Sequence, residues 1–177
     1  MQPKTTIWEL EPHTAAKHEI LRRYIQAWAP ILSQGNFPHL VFVDGFAGPG
    51  RYSKGEEGSP IIAIKAVVNQ PRPIKANVDF HFIELDEKRS DHLTAEIGSL
   101  TLPSNVSAKI HGGRAFQDAF PEVWDSYASR PCRPRPPTFV FIDPFGFKIY
   151  SINALLLCGP IARKLLFIRR YHSASLR

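Results

Sequence analysis

The stretch Leu40-Val41-Phe42-Val43-Asp44-Gly45-Phe46-Ala47-Gly48-Pro49-Gly50 decides the fold. Leu40 to Val43 is an unbroken apolar run, the pattern of a strand covered on both faces, as in a parallel sheet. It stops at an acid and a glycine-rich turn. Gly48 and Gly50 let backbone approach a ligand closely and take φ angles that other residues resist. Asp44 can accept hydrogen bonds from an ammonium or from the backbone donors of the turn.

Upstream, residues 14–32 read as an amphipathic helix. Ile20, Leu21, Tyr24, Ile25, Trp28, Ile31 and Leu32 form its apolar face, Thr14 caps it, and Pro30 ends or kinks its last turn. Lys17, His18, Arg22 and Arg23 fall off that stripe and are expected on a solvated face. Downstream comes a charged loop over 51–58. A helix follows from Ser59 to about Asn69, with Ser59 as cap and Pro60 at its first position.

After a connector the alternation continues. Strands are expected over 78–84, 106–111 and 138–142, and a fifth over 164–168. Helices are expected from Asp86 to about Ile97, from Ala115 to Tyr127 with a break near Pro121, and over 151–157. Strand and helix in turn after a leading helix imply an α/β fold, a Rossmann-like parallel sheet with flanking helices. The 177 residues suit one domain, 1–177, with an irregular basic tail over 169–177.

The strand ends carry the candidate chemistry. In Phe82-Ile83-Glu84-Leu85-Asp86, Glu84 is placed to hold two ribose hydroxyls, and Asp86 to cap the next helix. Gly50 and Glu84 lie farther apart than in a compact dinucleotide fingerprint, and the loop over 51–58 takes up part of the difference. In Phe141-Ile142-Asp143-Pro144-Phe145-Gly146-Phe147, Asp143 reaches the same edge. A carboxylate accepting the hydrogens of an amino group leaves the nitrogen lone pair free to attack a methyl sulfonium. His111-Gly112-Gly113-Arg114 ends the third strand without diagnostic residue types. The glycine turn is not a G-x-G-x-x-G opening directly into a helix, which disfavours a nicotinamide-dependent dehydrogenase.

Composition narrows the classes. No apolar run approaches the ~20 residues of a membrane-spanning helix, and the amino terminus has no secretory pattern, so a cytoplasmic protein without a membrane partner is expected. A net charge of +6 fits nucleic acid as a partner. The Pro/Arg-rich loop over 130–137 precedes a strand and belongs at the edge away from the ligand side. The two cysteines, Cys132 and Cys158, read as unpaired thiols. The histidines form no metal-ligand motif, and no metal is expected.

Four segments together carry a resemblance: Trp8-Glu9-Leu10-Glu11-Pro12-His13-Thr14-Ala15-Ala16-Lys17-His18, then Asp44 to Tyr52, then Gly58-Ser59-Pro60, then Phe141 to Phe147. From about Ile7 to Phe147 the chain resembles the three-Cys-motif partner protein family, TcmP. Phe46-Ala47-Gly48-Pro49-Gly50 is similar to the F-x-G-x-G cofactor loop of DNA methyltransferases. Asp143-Pro144-Phe145-Gly146 is similar to the D-P-P-F/Y motif of amino methyltransferases, with Phe145 in place of the second proline.

The resemblance implies a class I methyltransferase fold and S-adenosylmethionine held by Asp44, Gly45, Phe46, Gly48, Gly50 and Glu84. It implies Asp143 as the catalytic residue that orients an acceptor on nucleic acid or protein. It also implies a functional link to a second, three-Cys-motif protein. A complete methyltransferase sheet has more strands than are read here, and the resemblance fades after Tyr150. The expectation is therefore a sheet incomplete at its carboxyl-terminal end, a truncated copy. The alternative to an enzyme is a non-catalytic module that binds the cofactor or the partner.

Overall fold

A computed structural model describes residues 5–35, 37–128 and 135–143, and the backbone of 165–167. The expected helix over 151–157, the basic tail and both cysteines lie outside the described residues. The elements run α1 (Pro12–Gln34), β1 (His39–Asp44), α2 (Ser59–Val68), β2 (Asn77–Glu84), α3 (Glu87–Gly98), β3 (Val106–Gly112), α4 (Phe116–Ser126), β4 (Thr138–Ile142) and β5 (Leu165–Phe167). The strands form one sheet in the order β3-β2-β1-β4-β5, and every recorded pairing is parallel. The order reverses direction at β1, which places the topological switch point at the carboxyl ends of β1 and β4, where ligands of open α/β sheets bind.

Side-chain alternation sorts the core into two layers. Leu40, Phe42, Phe80, Phe82, Phe139 and Phe141 face α1, α2 and α3, and pack on Leu21, Ile25, Ile61, Ile64 and Leu93. Val41, Val43, Ile83, Val140 and Ile142 face α4, and pack on Phe116, Phe120 and Val123. β1 is apolar from Leu40 to Val43 because both of its faces are covered there, as the run at 40–43 implies.

Several boundaries differ from the sequence expectation. α1 begins at Pro12 with Glu11 as its N-cap residue, so Thr14 is not the cap. Proline at the first helical turn has no amide to leave unbonded, and this favours the earlier start. Pro30 neither ends nor interrupts α1, which continues to Gln34. The carbonyl that Pro30 leaves without a helical donor is that of Gln26, and the Gln70 side chain donates to it at 3.2 Å.

The buried stripe of α1 is Lys17, His18, Leu21, Ile25, Trp28 and Ala29, whereas Ile20 and Ile31 are 54% and 66% exposed. The stripe is thus rotated from the expected face. Ser59 is not the cap of α2; Gly58 is, and Ser59 occupies the first helical position. α4 runs continuously through Pro121. Asp86 caps α3 as expected, its carboxylate accepting from the Arg89 amide at 3.0 Å.

Candidate functional site at the carboxyl ends of the strands

The parallel register brings the expected carboxylates to one rim. Asp44 ends β1 opposite Phe82 of β2 and Phe141 of β4, so Glu84 and Asp143 each lie two residues further along the neighbouring strands. Asp44 is fully buried. Its Oδ1 accepts from the Phe46 amide at 3.1 Å, and its Oδ2 has no hydrogen-bond partner among the described residues. Burial pushes its carboxyl up to about 7. The Ser59 hydroxyl and the Phe46 amide act against the rise, and the Asp143 and Glu84 carboxylates add to it. A buried carboxylate with one open acceptor at neutral pH is costly unless something donates to it.

Glu84 is also buried, with both oxygens aimed at backbone. Oε2 accepts from the Gly48 amide at 2.8 Å and Oε1 from the Asp86 amide at 2.9 Å. Glu84 therefore ties the glycine turn to the end of β2. The turn is held from below as well: the Ala47 amide donates to the Ile83 carbonyl at 3.0 Å, and a His92 ring nitrogen meets the Pro49 carbonyl at 2.7 Å.

The glycines have different reasons. Gly48 (φ 65) lies under the Trp8 ring, which would stand in van der Waals contact, 3.8 Å from the position a Cβ would take. Gly50 (φ 82) lies against α3, where a Cβ would come within 2.8 Å of Leu93. At Gly45 a Cβ would stand 2.7 Å from the Phe116 ring, so this glycine serves close packing of α4. Phe46 packs on the same ring, with centroids 6.0 Å apart. The charged loop closes on itself through the Gly58 amide to the Gly50 carbonyl at 2.8 Å and an Arg51–Glu57 bridge. It is an excursion from the turn, and α2 starts directly against Gly50 despite the intervening residues. The Ser59 end of α2 thus faces Asp44.

Two site residues escaped the sequence reading. Lys17 and His18 are not on a solvated face; they are 8% and 6% exposed. The first turns of α1 overhang the carboxyl rim, so these side chains meet carboxylates instead of water. Lys17 Nζ makes an ion pair with Asp143 Oδ2, with both side chains largely buried. His18 is held down to about 4 by burial; Asp143 opposes this, and Lys17 and Arg22 reinforce it. Its Nδ1 has no partner among the described residues, and its ring lies 5.8 Å from that of Tyr52. Extending the buried stripe of α1 backward from Leu21 by three and four residues lands on His18 and Lys17, which is the signal that could have found them.

The amino-terminal segment before α1 crosses the same region. The Ser53 amide donates to the Trp8 carbonyl at 2.9 Å, Lys54 pairs with Glu9, and the Arg89 guanidinium lies 4.9 Å over the Trp8 ring. Trp8 and Tyr52 meet edge to face at 5.7 Å. An aromatic strap thereby covers the glycine turn.

Fold and site together define an α/β protein with a parallel sheet flanked by helices, compatible with the Rossmann-like class, and with a carboxylate-rich rim at the ligand side of the sheet. The chain matches no known family model, no curated protein and no solved structure. Among the described residues no helix is long and apolar enough to cross a membrane.

Proposed function

We propose that this chain binds S-adenosylmethionine at the carboxyl ends of β1 and β2 and belongs with methyltransferases acting on nucleic acid or protein. The carrying observation is Asp44, a fully buried carboxylate with one oxygen lacking a donor among the described residues, on the same glycine turn that Glu84 holds. The residues fit the cofactor chemically. Asp44 offers its open oxygen to an ammonium, Glu84 retains lone pairs for ribose hydroxyls, and Gly48, with no Cβ, leaves only the Trp8 ring between its backbone and a ligand. When bound, the cofactor supplies a methyl group on a cationic sulfonium. Asp44 and Glu84 provide the matching negative field, Trp8 and Tyr52 exclude water, and Asp143 orients the acceptor. Catalysis would be chiefly positioning of the nucleophile.

The same charges argue against a dinucleotide. A pyrophosphate needs helix amides free of other anions, and here the chain's own Asp44 carboxylate faces the first turn of α2 through Ser59. Net positive charge supports nucleic acid as the acceptor. The TcmP resemblance supports a three-Cys-motif partner protein. A second reading, a binding module without turnover, is favoured by one fact: Asp143 is already neutralised by Lys17.

Calorimetry separates these readings. S-adenosylmethionine gives saturable heat with the wild-type chain and none with Asp44→Ala, while NAD gives none with either. Absence of heat for S-adenosylmethionine removes both readings. Heat without methyl transfer to DNA, RNA or the partner leaves the binding module.

A further inference from the structure

The end of α1 and the connector before β2 form a groove of about 650 Å³. β1 and β2 start beside it, His39 opposite Asn77, so it lies at the far end of the sheet from the carboxylate rim. Pro30, Pro71, Pro73 and Ile74 give it apolar walls. Gln34, Arg72 and Lys75 also line it and are exposed.

The walls are fixed before anything binds. Each proline holds its own φ and has no amide to satisfy. The Ser33 hydroxyl oxygen accepts from the Lys75 and Ala76 amides at 3.1 and 3.2 Å, which ties the connector to α1. The Asn105 side chain, just before β3, donates to the Ile74 and Ala76 carbonyls at 2.8 and 2.9 Å. A ligand therefore loses little affinity to ordering the protein.

Charge selects the occupant. Among the described residues no acid lines the groove, and the Arg72 and Lys75 side chains have no hydrogen-bond or ion-pair partner. Two full positive charges outweigh the roughly −0.5 charge at the carbonyl end of α1, so complementing that helix end does not exhaust them. The occupant must be anionic and must also offer apolar bulk to the prolines. Nucleic acid meets the first demand and not the second. No aromatic ring lines the groove to stack a base, and two cations neutralise few phosphates. An extended peptide meets both, and its backbone can pair with the exposed Gln34 amide.

We propose that this groove docks an acidic, extended segment of a partner protein, with an aromatic side chain against the prolines and flanking carboxylates on Arg72 and Lys75. It does so away from the rim, and independently of the function proposed there.

Fluorescence anisotropy of a labelled glutamate–tyrosine peptide, titrated with the whole chain, tests this. Binding should saturate with wild type. Arg72→Glu with Lys75→Glu should weaken it by about tenfold or more, since two exposed charge pairs are lost and two repulsions gained. Arg72→Gln with Lys75→Gln, which introduces no new charge beside α1, should weaken it by a smaller factor. A polyglutamate peptide of equal charge should bind wild type more weakly, because it brings nothing to the proline walls. No saturable binding to wild type, equal binding by the charge-reversed chain, or equal binding of the two peptides overturns the proposal. So does a short oligothymidylate that binds wild type and is lost in the charge-reversed chain, which would make nucleic acid the occupant.

Discussion

Replacing Asp44 by Asn separates function from stability in opposite directions. The Asp44 carboxyl is raised by burial from the ordinary 3.8 to about 7, so the native state binds its proton about a thousandfold more tightly than the unfolded chain does. For an acid with a raised native value, stability is highest below the unfolded value. It falls as pH climbs toward 7 and is level above that. At about 1.4 kcal/mol per tenfold, the loss reaches about 4 kcal/mol at pH 8.

Asn cannot ionise. Its oxygen can still accept from the Phe46 amide. After allowance for desolvating the amide, Asp44→Asn should be about 2–4 kcal/mol more stable than wild type at pH 8. The advantage should vanish toward pH 4. For a chain of this size each kcal/mol shifts the midpoint by about 2–4 °C. Urea unfolding of both chains from pH 4 to 8.5 reads the difference directly, and the buried histidines titrate alike in both and cancel. The same variant should give no heat with S-adenosylmethionine. An Asn chain no more stable at pH 8 than at pH 4, relative to wild type, would refute the claim that Asp44 is held as a strained, ligand-seeking carboxylate.

Further outcomes follow from other parts of the molecule. Between about pH 6.5 and 4 acid should remove the stability contributed by His18 and His81, against the opposite trend from Asp44, because burial holds both rings neutral down to about 4. A base with a lowered native value stabilises fully above its unfolded value, and that stabilisation is lost as pH drops. His81→Gln should remove about 2–3 kcal/mol of the acid-linked loss in urea titrations. Tyr127→Phe should cost about 1–3 kcal/mol at neutral pH, since the hydroxyl donates to Asp79 at 2.8 Å and meets a His81 ring nitrogen at 2.7 Å. Gly50→Ala should cost more than Gly55→Ala in equilibrium unfolding. Both sites have positive φ, worth about 1–2 kcal/mol to a residue with a Cβ, but only Gly50 would also press on Leu93. Finally, S-adenosylmethionine should change tryptophan fluorescence in wild type and much less in Trp8→Phe, because Trp8 overhangs Gly48.

Local pattern carried most of the element order. The run at 40–43, the acid and the glycines after it, and the cap at Asp86 were readable because strand burial, positive φ and helix capping each act over a few residues. The prolines misled for the same local reason. Pro30 sits inside α1 because Gln70, distant in sequence, satisfies the carbonyl it frees. The apolar face of α1 was misplaced because hydrophobicity alone sees Ile20 and Ile31, whereas the helix buries Lys17 and His18 against carboxylates that only the folded sheet supplies. Gly45 looked like a ligand-binding glycine, and its structural reason is Phe116, far along the chain.

The linked side chains of His39, Asp79, His81, His111 and Tyr127 were invisible in sequence altogether. They come from β1, β2, β3 and the cap that follows α4, and only the packing of these elements aligns them.

The sequence by itself determined the alternation of strands and helices and the residue types at each strand end. Those follow from interactions between near neighbours in the chain. The tertiary structure decided that Asp44, Glu84 and Asp143 share one rim, that Asp44 is left with an open oxygen, and that Lys17 reaches Asp143. These depend on register, crossover and burial, which are set by packing between segments that no local pattern connects.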